Sequence, residues 1–196
     1  MKLYLSVIGI AMAVVAALNL IFEVAPWYYV IAAVIWCTAL QFALDGLLAI
    51  IIRLTPDRYF GADDPHFAVS ESAQALYKRL RVRRWKDKVW ELGGIGGFSK
   101  KNVNEPSNPE YIERFIIECN KGVLTHRLSY PIGFAAMLTL PGACALTIAL
   151  PVAVVNLFLN ILPTLALRYN TPMLQNVLKR LKRKQAECES EKIAEI

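Results

Sequence analysis

His126 is one of only two histidines in the chain, and it stands in "LTHRLSYPIGF" at the threshold of a long apolar run. A neutral imidazole near pH 7 is the side chain best suited to withdraw a proton from a hydroxyl. The competing reading is an interfacial histidine held by headgroups or backbone and doing no chemistry. Glu118 lies eight residues earlier, which at ~3.6 residues per helical turn puts the two groups on roughly the same side, about two turns apart. That spacing suits orientation or charge stabilisation of His126 better than a direct hydrogen bond. Asp45 sits inside an apolar segment. Intramembrane carboxyls usually face a bundle interior or a wet cavity, so it either lines a lipid-substrate cavity or packs protonated against Gln41 or a neighbouring helix.

Other chemistries find little support. His66 in "DDPHF" neighbours Asp63 and Asp64, but three such groups on a polar loop are more often solvated, and no metal site is expected. Cys37, Cys119, Cys144 and Cys188 are widely spaced and contain no C-x-x-C pair, which argues against a disulfide framework or a zinc site. A Gly-x-Ser-x-Gly elbow is missing, so a covalent intermediate on an activated serine is not expected. The H-x-x-x-x-D motif fails too, because Pro131 stands five residues past His126.

The elements that must position these groups are membrane elements. With 56% hydrophobic residues and a mean hydropathy of +0.38, the chain is too apolar for an ordinary soluble domain. Residues 3–22 carry no charge and meet the ~20-residue requirement for crossing a bilayer. Only Lys2 precedes them and no small-x-small site follows, so a retained helix is favoured over a cleaved signal peptide. After a tight Glu23–Pro26 connection a second span begins at Trp27, Tyr28 and Tyr29, an interfacial aromatic belt. Residues 55–127 then form a polar, strongly basic insert. The apolar run Leu128–Leu167 is about twice the length one crossing needs, and Leu140-Pro141-Gly142 supplies a reversal, with Pro151 as the alternative.

A second basic segment, "LKRLKRK", follows at 178–184. The positive-inside rule puts both basic regions on the cytoplasmic side with an even number of crossings between them. The expected fold is an all-α integral membrane protein of four transmembrane helices in two hairpins: 1–54, the insert 55–127, a second hairpin 128–169 and a basic tail 170–196. Both termini are expected in the cytoplasm, in a cell membrane. The net charge of +6 points to anionic headgroups or a phosphorylated cosubstrate. Nucleic acid is not expected, because no base-stacking pattern interleaves the cations.

Inside the insert, "SAQALYKRLRVRRWKDKVWEL" spaces Ala73, Leu76, Tyr77, Leu80, Trp85, Val89 and Leu92 as the apolar stripe of one helix with a cationic opposite face. "GGIGGFSKK" at 93–101 lacks P-loop spacing and reads as a flexible connection or a gating loop. Ser107 and Glu110 have capping-box spacing, with Pro109 in the first turn of the next helix. Its apolar stripe is Tyr111, Phe115, Cys119 and Val123, widened by Ile112 and Ile116. The prolines at 131, 141, 151 and 163 are expected to kink the last two spans and open space between helices.

Five blocks carry a family resemblance: "TPDRYF" (55–60), "LRVRRWKDKVWELGG" (80–94), "GFSKKNV" (97–103), "YIERFIIECNKGVLTH" (111–126) and "NILPTLALRYNTPML" (160–174). In this order they resemble the glycosyl-4,4'-diaponeurosporenoate acyltransferases of staphyloxanthin-type carotenoid biosynthesis, from about Pro56 to Leu181. The resemblance implies transfer of a fatty acyl group to a sugar hydroxyl of a membrane-embedded glycolipid. It implies a catalytic role for His126 with Glu118. It also implies substrate-binding roles for Trp85, Lys86, Asp87, Arg168, Tyr169 and Asn170, with Arg168 or Asn170 stabilising the oxyanion. The partners implied are membrane lipids, a lipid-linked sugar acceptor and an acyl donor, with acyl-CoA expected as cosubstrate and no bound cofactor. Two segments depart from the family pattern: Lys121-Gly122-Val123 stands for R-A-E, and 167–173 lacks the glutamine and two of three arginines. The reading from another class is a non-catalytic membrane protein that binds anionic lipid or scaffolds lipid-modifying enzymes through the basic insert.

Overall fold

A computed structural model of the protein describes residues 2–89 and 103–194; the glycine-rich stretch 93–101 and Leu92 lie outside them. The described residues are all-helical: α1 (Lys2–Ile21), α2 (Trp27–Leu54), α3 (Glu71–Arg79), α4 (Val82–Trp85), α5 (Pro109–Ile132) and α6 (Leu150–Ala194), with short 3-10 and π turns between them. Three helices are long and apolar enough to cross a membrane: Tyr4–Ile21, Trp27–Leu54 and the stretch Ala145–Glu191. The chain divides into two compact units, 1–54 with 124–164, and 55–123 with 165–196.

In the first unit, α1 and α2 follow from uninterrupted apolar runs. Both leave large apolar side chains such as Ile10, Ile35 and Trp36 more than half exposed, as a lipid-facing surface requires. The buried faces within this unit use small residues, on α2 and on the elements after α5. Ala33, Ala136, Ala149 and Ala153 are almost fully buried, which lets helix backbones approach closely.

Among the described residues no membrane-length helix corresponds to the expected third span. Pro131 has no N–H to give the carbonyl four residues back, so the α-helical pattern ends at Ile132 and Gly133–Thr139 continues as a 3-10 run. The reversal falls at Pro141-Gly142, where Gly142 takes a φ of 54° that a side chain would strain. The next turn is a π-helix, Ala145–Ala149. Pro151 cannot donate to the Thr147 carbonyl, and the Asn19 side chain of α1 does so instead, at 2.9 Å.

In the second unit, α3 begins at Ser70, whose hydroxyl accepts from the Ala73 N–H. The single long helix expected over 72–92 is broken at Arg81, which adopts a left-handed φ of 51°. The Trp85 indole donates to the Leu80 carbonyl at 3.0 Å, satisfying one group that the break releases. Tyr77 and Val82 are buried, while Leu76 and Leu80 remain nearly half exposed, so the apolar stripe does not face one way. The N-cap of α5 is Asn108 rather than Ser107. Its Oδ1 accepts from the N–H groups of Glu110 and Tyr111, because Pro109 at the first helical position leaves the cap to the residue before it. The α5 stripe is observed as expected, with Ile112, Phe115, Ile116, Cys119 and Val123 at most 2% exposed.

Candidate active site

The first unit assembles a hydrogen-bonded chain around His126. α5 brings His126 and, one turn later, Tyr130 against α6, which offers Asn160 and, one turn later, Thr164. His126 Nδ1 lies 2.7 Å from Asn160 Oδ1, and the Tyr130 hydroxyl donates to Thr164 Oγ1 at 2.8 Å. The Thr164 hydroxyl in turn donates to the Asn160 carbonyl, fastening that residue's backbone.

The surroundings of Asn160 decide the protonation pattern. Its Nδ2 faces three acceptors: Asp45 Oδ2 at 3.2 Å, Asn156 Oδ1 at 3.2 Å and the Asn156 carbonyl at 3.1 Å. Those acceptors require the NH2 end of the amide on that side, so Oδ1 faces the imidazole as an acceptor. His126 Nδ1 must then carry the hydrogen, and in the neutral ring Nε2 holds the lone pair. A histidine with a fixed tautomer, backed by an amide and then a carboxyl group, is an arrangement for taking up a proton at Nε2.

Asp45 also borders a cleft between α1, α2 and α6. Most of its wall is apolar, with Thr38, Gln41, Asp45 and Asn156 among its polar groups. Three of these residues each have one buried polar atom with no hydrogen-bond partner: Gln41 Oε1, Asp45 Oδ1 and Asn156 Nδ2. Gly133 lies against two of them. A Cβ there would lie 3.0 Å from Gln41 Oε1 and 3.1 Å from Asn156 Nδ2, so an alanine would need both side-chain ends to give by a few tenths of an ångström. Gln41 also donates to the Gly133 carbonyl at 2.5 Å.

The remaining expected site residues belong to the second unit. Arg168 is buried, its Nε donating to the Tyr77 hydroxyl at 3.1 Å and one Nη to the Ala68 carbonyl at 2.9 Å; Nη1 is buried without a partner. Tyr169 and Asn170 follow it, half-buried. Lys86 pairs with its neighbour Asp87 at 2.8 Å near the surface, and Trp85 is occupied with the Leu80 carbonyl. Glu118 is half-buried on α5; the group on Nδ1 of His126 is Asn160, from a different helix.

Two features escaped the reading of the sequence. Lys121, where the family pattern has arginine, is buried and pairs with Asp57 at 2.5 Å, while Asn120 beside it donates to the carbonyls of Phe60 and Gly61. The other is a polar ladder on α6: Asn156, Asn160, Thr164, Arg168, Thr171 and Gln175, all at spacings of three or four. The first five are at most 9% exposed. The signal was available, because a polar stripe at helical spacing inside an apolar segment is costly unless each group meets a partner or a ligand. Asp64 is half-buried beside the 65–67 turn, where the His66 N–H, and then the His66 ring, hold its carboxyl below the usual carboxylate range. Among the described residues no cluster of metal-ligating side chains occurs.

The family profile of glycosyl-4,4'-diaponeurosporenoate acyltransferase matches residues 56–180. No curated protein and no solved structure matches the chain. The matched segment contains the His126 helix, nearly all of the insert and the whole polar ladder, and does not reach back to α1 and α2. Since it spans more than half of the chain, the protein belongs to the glycosyl-4,4'-diaponeurosporenoate acyltransferase family and is an acyltransferase of carotenoid biosynthesis with membrane-length helices.

Proposed function

We propose that the protein moves a fatty acyl group from an acyl donor, with acyl-CoA as cosubstrate, onto a sugar hydroxyl of a glycosylated carotenoid or similar glycolipid, with His126 as general base. The observation that supports this reading most is the contact of His126 Nδ1 with an Asn160 amide whose orientation is set by Asp45 and Asn156. Nε2 removes the proton of the acceptor hydroxyl as its oxygen attacks the thioester carbonyl. The tetrahedral intermediate collapses, the C–S bond breaks, and the imidazolium returns the proton to the leaving thiolate. General-base assistance of this kind contributes ~10²–10⁴ in rate.

Asn160 and Asp45 are positioning residues in this scheme; they act through the imidazole. Glu118 adds negative charge on the same helix. In the second unit, Trp85, Lys86, Asp87, Arg168, Tyr169 and Asn170 are assigned to substrate binding from the family resemblance. The buried Nη1 of Arg168 is a donor still available to an anionic oxygen.

The proposed topology keeps four crossings, with the end of α5 and the 3-10 run together forming the third. Residues 124–132 rise about 13 Å as α-helix and 133–139 about 14 Å as 3-10 helix, close to the ~30 Å of a hydrocarbon core. Both basic regions and both termini then lie in the cytoplasm of a multi-pass protein.

The deciding experiment is mass spectrometry of lipid extracts from cells fed a glycosylated carotenoid acid and expressing wild type or His126→Ala at matched membrane levels. A mass gain of one fatty acyl group with the wild type alone is the expected result. Equal product from both proteins would remove the histidine from the mechanism. No product across several acceptors would favour the anionic-lipid-binding alternative.

A further inference from the structure

The second unit carries a charged surface that the proposed chemistry leaves unused. Seven of the eleven residues in 78–88 are lysine or arginine, and the one acid among them, Asp87, pairs with Lys86. Lys78, Arg79, Arg81, Arg83, Arg84 and Lys88 are exposed and meet no carboxylate among the described residues. Lys78 and Arg79 have a local reason to be there, since the last turn of α3 favours cations. The others lie in or beside α4, a single turn with little dipole, and like charges so closely spaced repel one another. Such a cluster calls for an external anion.

Between these cations the surface turns apolar. Leu76 and Leu80 are nearly half exposed, and with Arg79 they fall at positions i, i+4 and i+3 of one helical face. The side of α3 that packs is a different one, through the buried Tyr77 and half-buried Ala73. With nine residues α3 is too short to cross a bilayer, so its outward leucines have no place in the hydrocarbon core.

The combination selects one partner. A soluble phosphate would satisfy the cations and leave the leucines wet, and a neutral bilayer would take the leucines and leave the cations unmatched. A bilayer surface bearing anionic headgroups satisfies both. It is also within reach: α2 ends at Leu54, α3 begins at Glu71, and the connection 55–70 extends at most ~3.6 Å per residue, under about 60 Å in all.

We propose that α3 and the α4 turn dock on an anionic phospholipid leaflet, Leu76 and Leu80 entering the acyl boundary and the six cations meeting headgroup phosphates. The docking is independent of the acyl-transfer reading, and Lys86, which that reading uses, takes no part in it. It gives the second unit a preference for a charged leaflet and a sensitivity to salt.

The test uses the full chain with Cys188→Ser and Leu80→Cys, the latter carrying a nitroxide spin label, since the remaining cysteines are buried. The protein is reconstituted in vesicles of phosphatidylcholine, alone or with about one third phosphatidylglycerol. Collision with dissolved oxygen, which concentrates in the acyl region, is compared with collision with a neutral nickel chelate, which stays in water. In the mixed vesicles oxygen should dominate. Pure phosphatidylcholine, or ~1 M salt, where the Debye length falls to ~3 Å, should return the label to water. Reversal of Arg79, Arg83 and Arg84 to glutamate should weaken docking at least ~10-fold.

A label in water in both vesicle types, or a triple variant that docks as the unreversed protein does, would overturn the proposal. Equal membrane contact with and without phosphatidylglycerol would overturn the anionic partner and leave a plain apolar contact. Release by inorganic pyrophosphate, at an ionic strength matched with chloride, would give the cations to a soluble phosphate instead. Neither acyl donor nor acceptor is present, so failure of the docking leaves acyl transfer standing, and absence of acylated product in lipid extracts leaves the docking standing.

Discussion

The two units treat buried polar groups in opposite ways. In the second, Lys121, Asn120 and Gln175 use their donors on partners supplied by the 57–62 loop, so they act as fasteners. In the first, five polar atoms are buried without partners, at Asn19, Gln41, Asp45, Ser129 and Asn156; in the second only Arg168 Nη1 is in that condition among the described residues. A group whose polar atoms are all paired can only fasten the fold, whereas an unpaired atom keeps capacity for water or a ligand even where, as at Asn19, the rest of the side chain fastens. The contrast is the motive for proposing the proton transfer in the first unit, alongside the substrate contacts proposed for the second.

The sharpest way to break this comparison is His126→Ala, which should lower acyl transfer by ~10³-fold without altering thermal stability. A smaller loss through unfolding would make His126 another fastener. Asn160→Leu should lower kcat by ~10²-fold and distort the pH profile, since the imidazole is released from a single tautomer, with the KM for acyl donor little changed. A loss confined to KM would instead place Asn160 in binding.

In the second unit the effects should appear in stability. Arg168→Met removes the bonds to Tyr77 and Ala68 and should cost ~2–3 kcal/mol, read from thermal melting of the purified protein. Full stability with lost acyl transfer would move Arg168 to the chemical side of the comparison. Lys121→Met should cost less, about 1 kcal/mol, because its partner Asp57 is 67% exposed and solvent screens the pair.

The smallest effect concerns Asp64. Its carboxyl titrates lower folded than unfolded, so its contribution is present above the ordinary value of 3.8 and is lost as pH falls through that value and below. Amide-exchange protection of His66 should fall in step. Protection that persists to lower pH would show that the 65–67 turn needs no cap.

Much of this architecture was legible because it depends on local pattern. The unbroken apolar runs of α1 and α2, the Pro141-Gly142 reversal and the buried stripe of α5 each follow from residue type and spacing alone. The break at Arg81 was not legible, because the apolar period continues through it and only the Trp85 contact to Leu80 makes the interruption tolerable. Asn108 was overlooked for a different reason: Ser107 and Glu110 offered a better-known spacing, and Pro109 decided between the two candidates. The partner of His126 lies 34 residues away on another helix. Spacing along α5 could suggest only Glu118, whereas the pairing with Asn160 depends on how α5 and α6 meet.

The Thr147 carbonyl carries a consequence for inheritance. Pro151 removes its usual donor and Asn19, on another helix, supplies a replacement. Neither residue has a reason to persist without the other: an N–H at position 151 makes the amide at 19 redundant, and loss of the amide leaves a carbonyl bare in an apolar setting. Across relatives that retain α1, Asn19 and Pro151 should be kept or exchanged as one character, although 132 positions separate them and only the later one lies inside the family match.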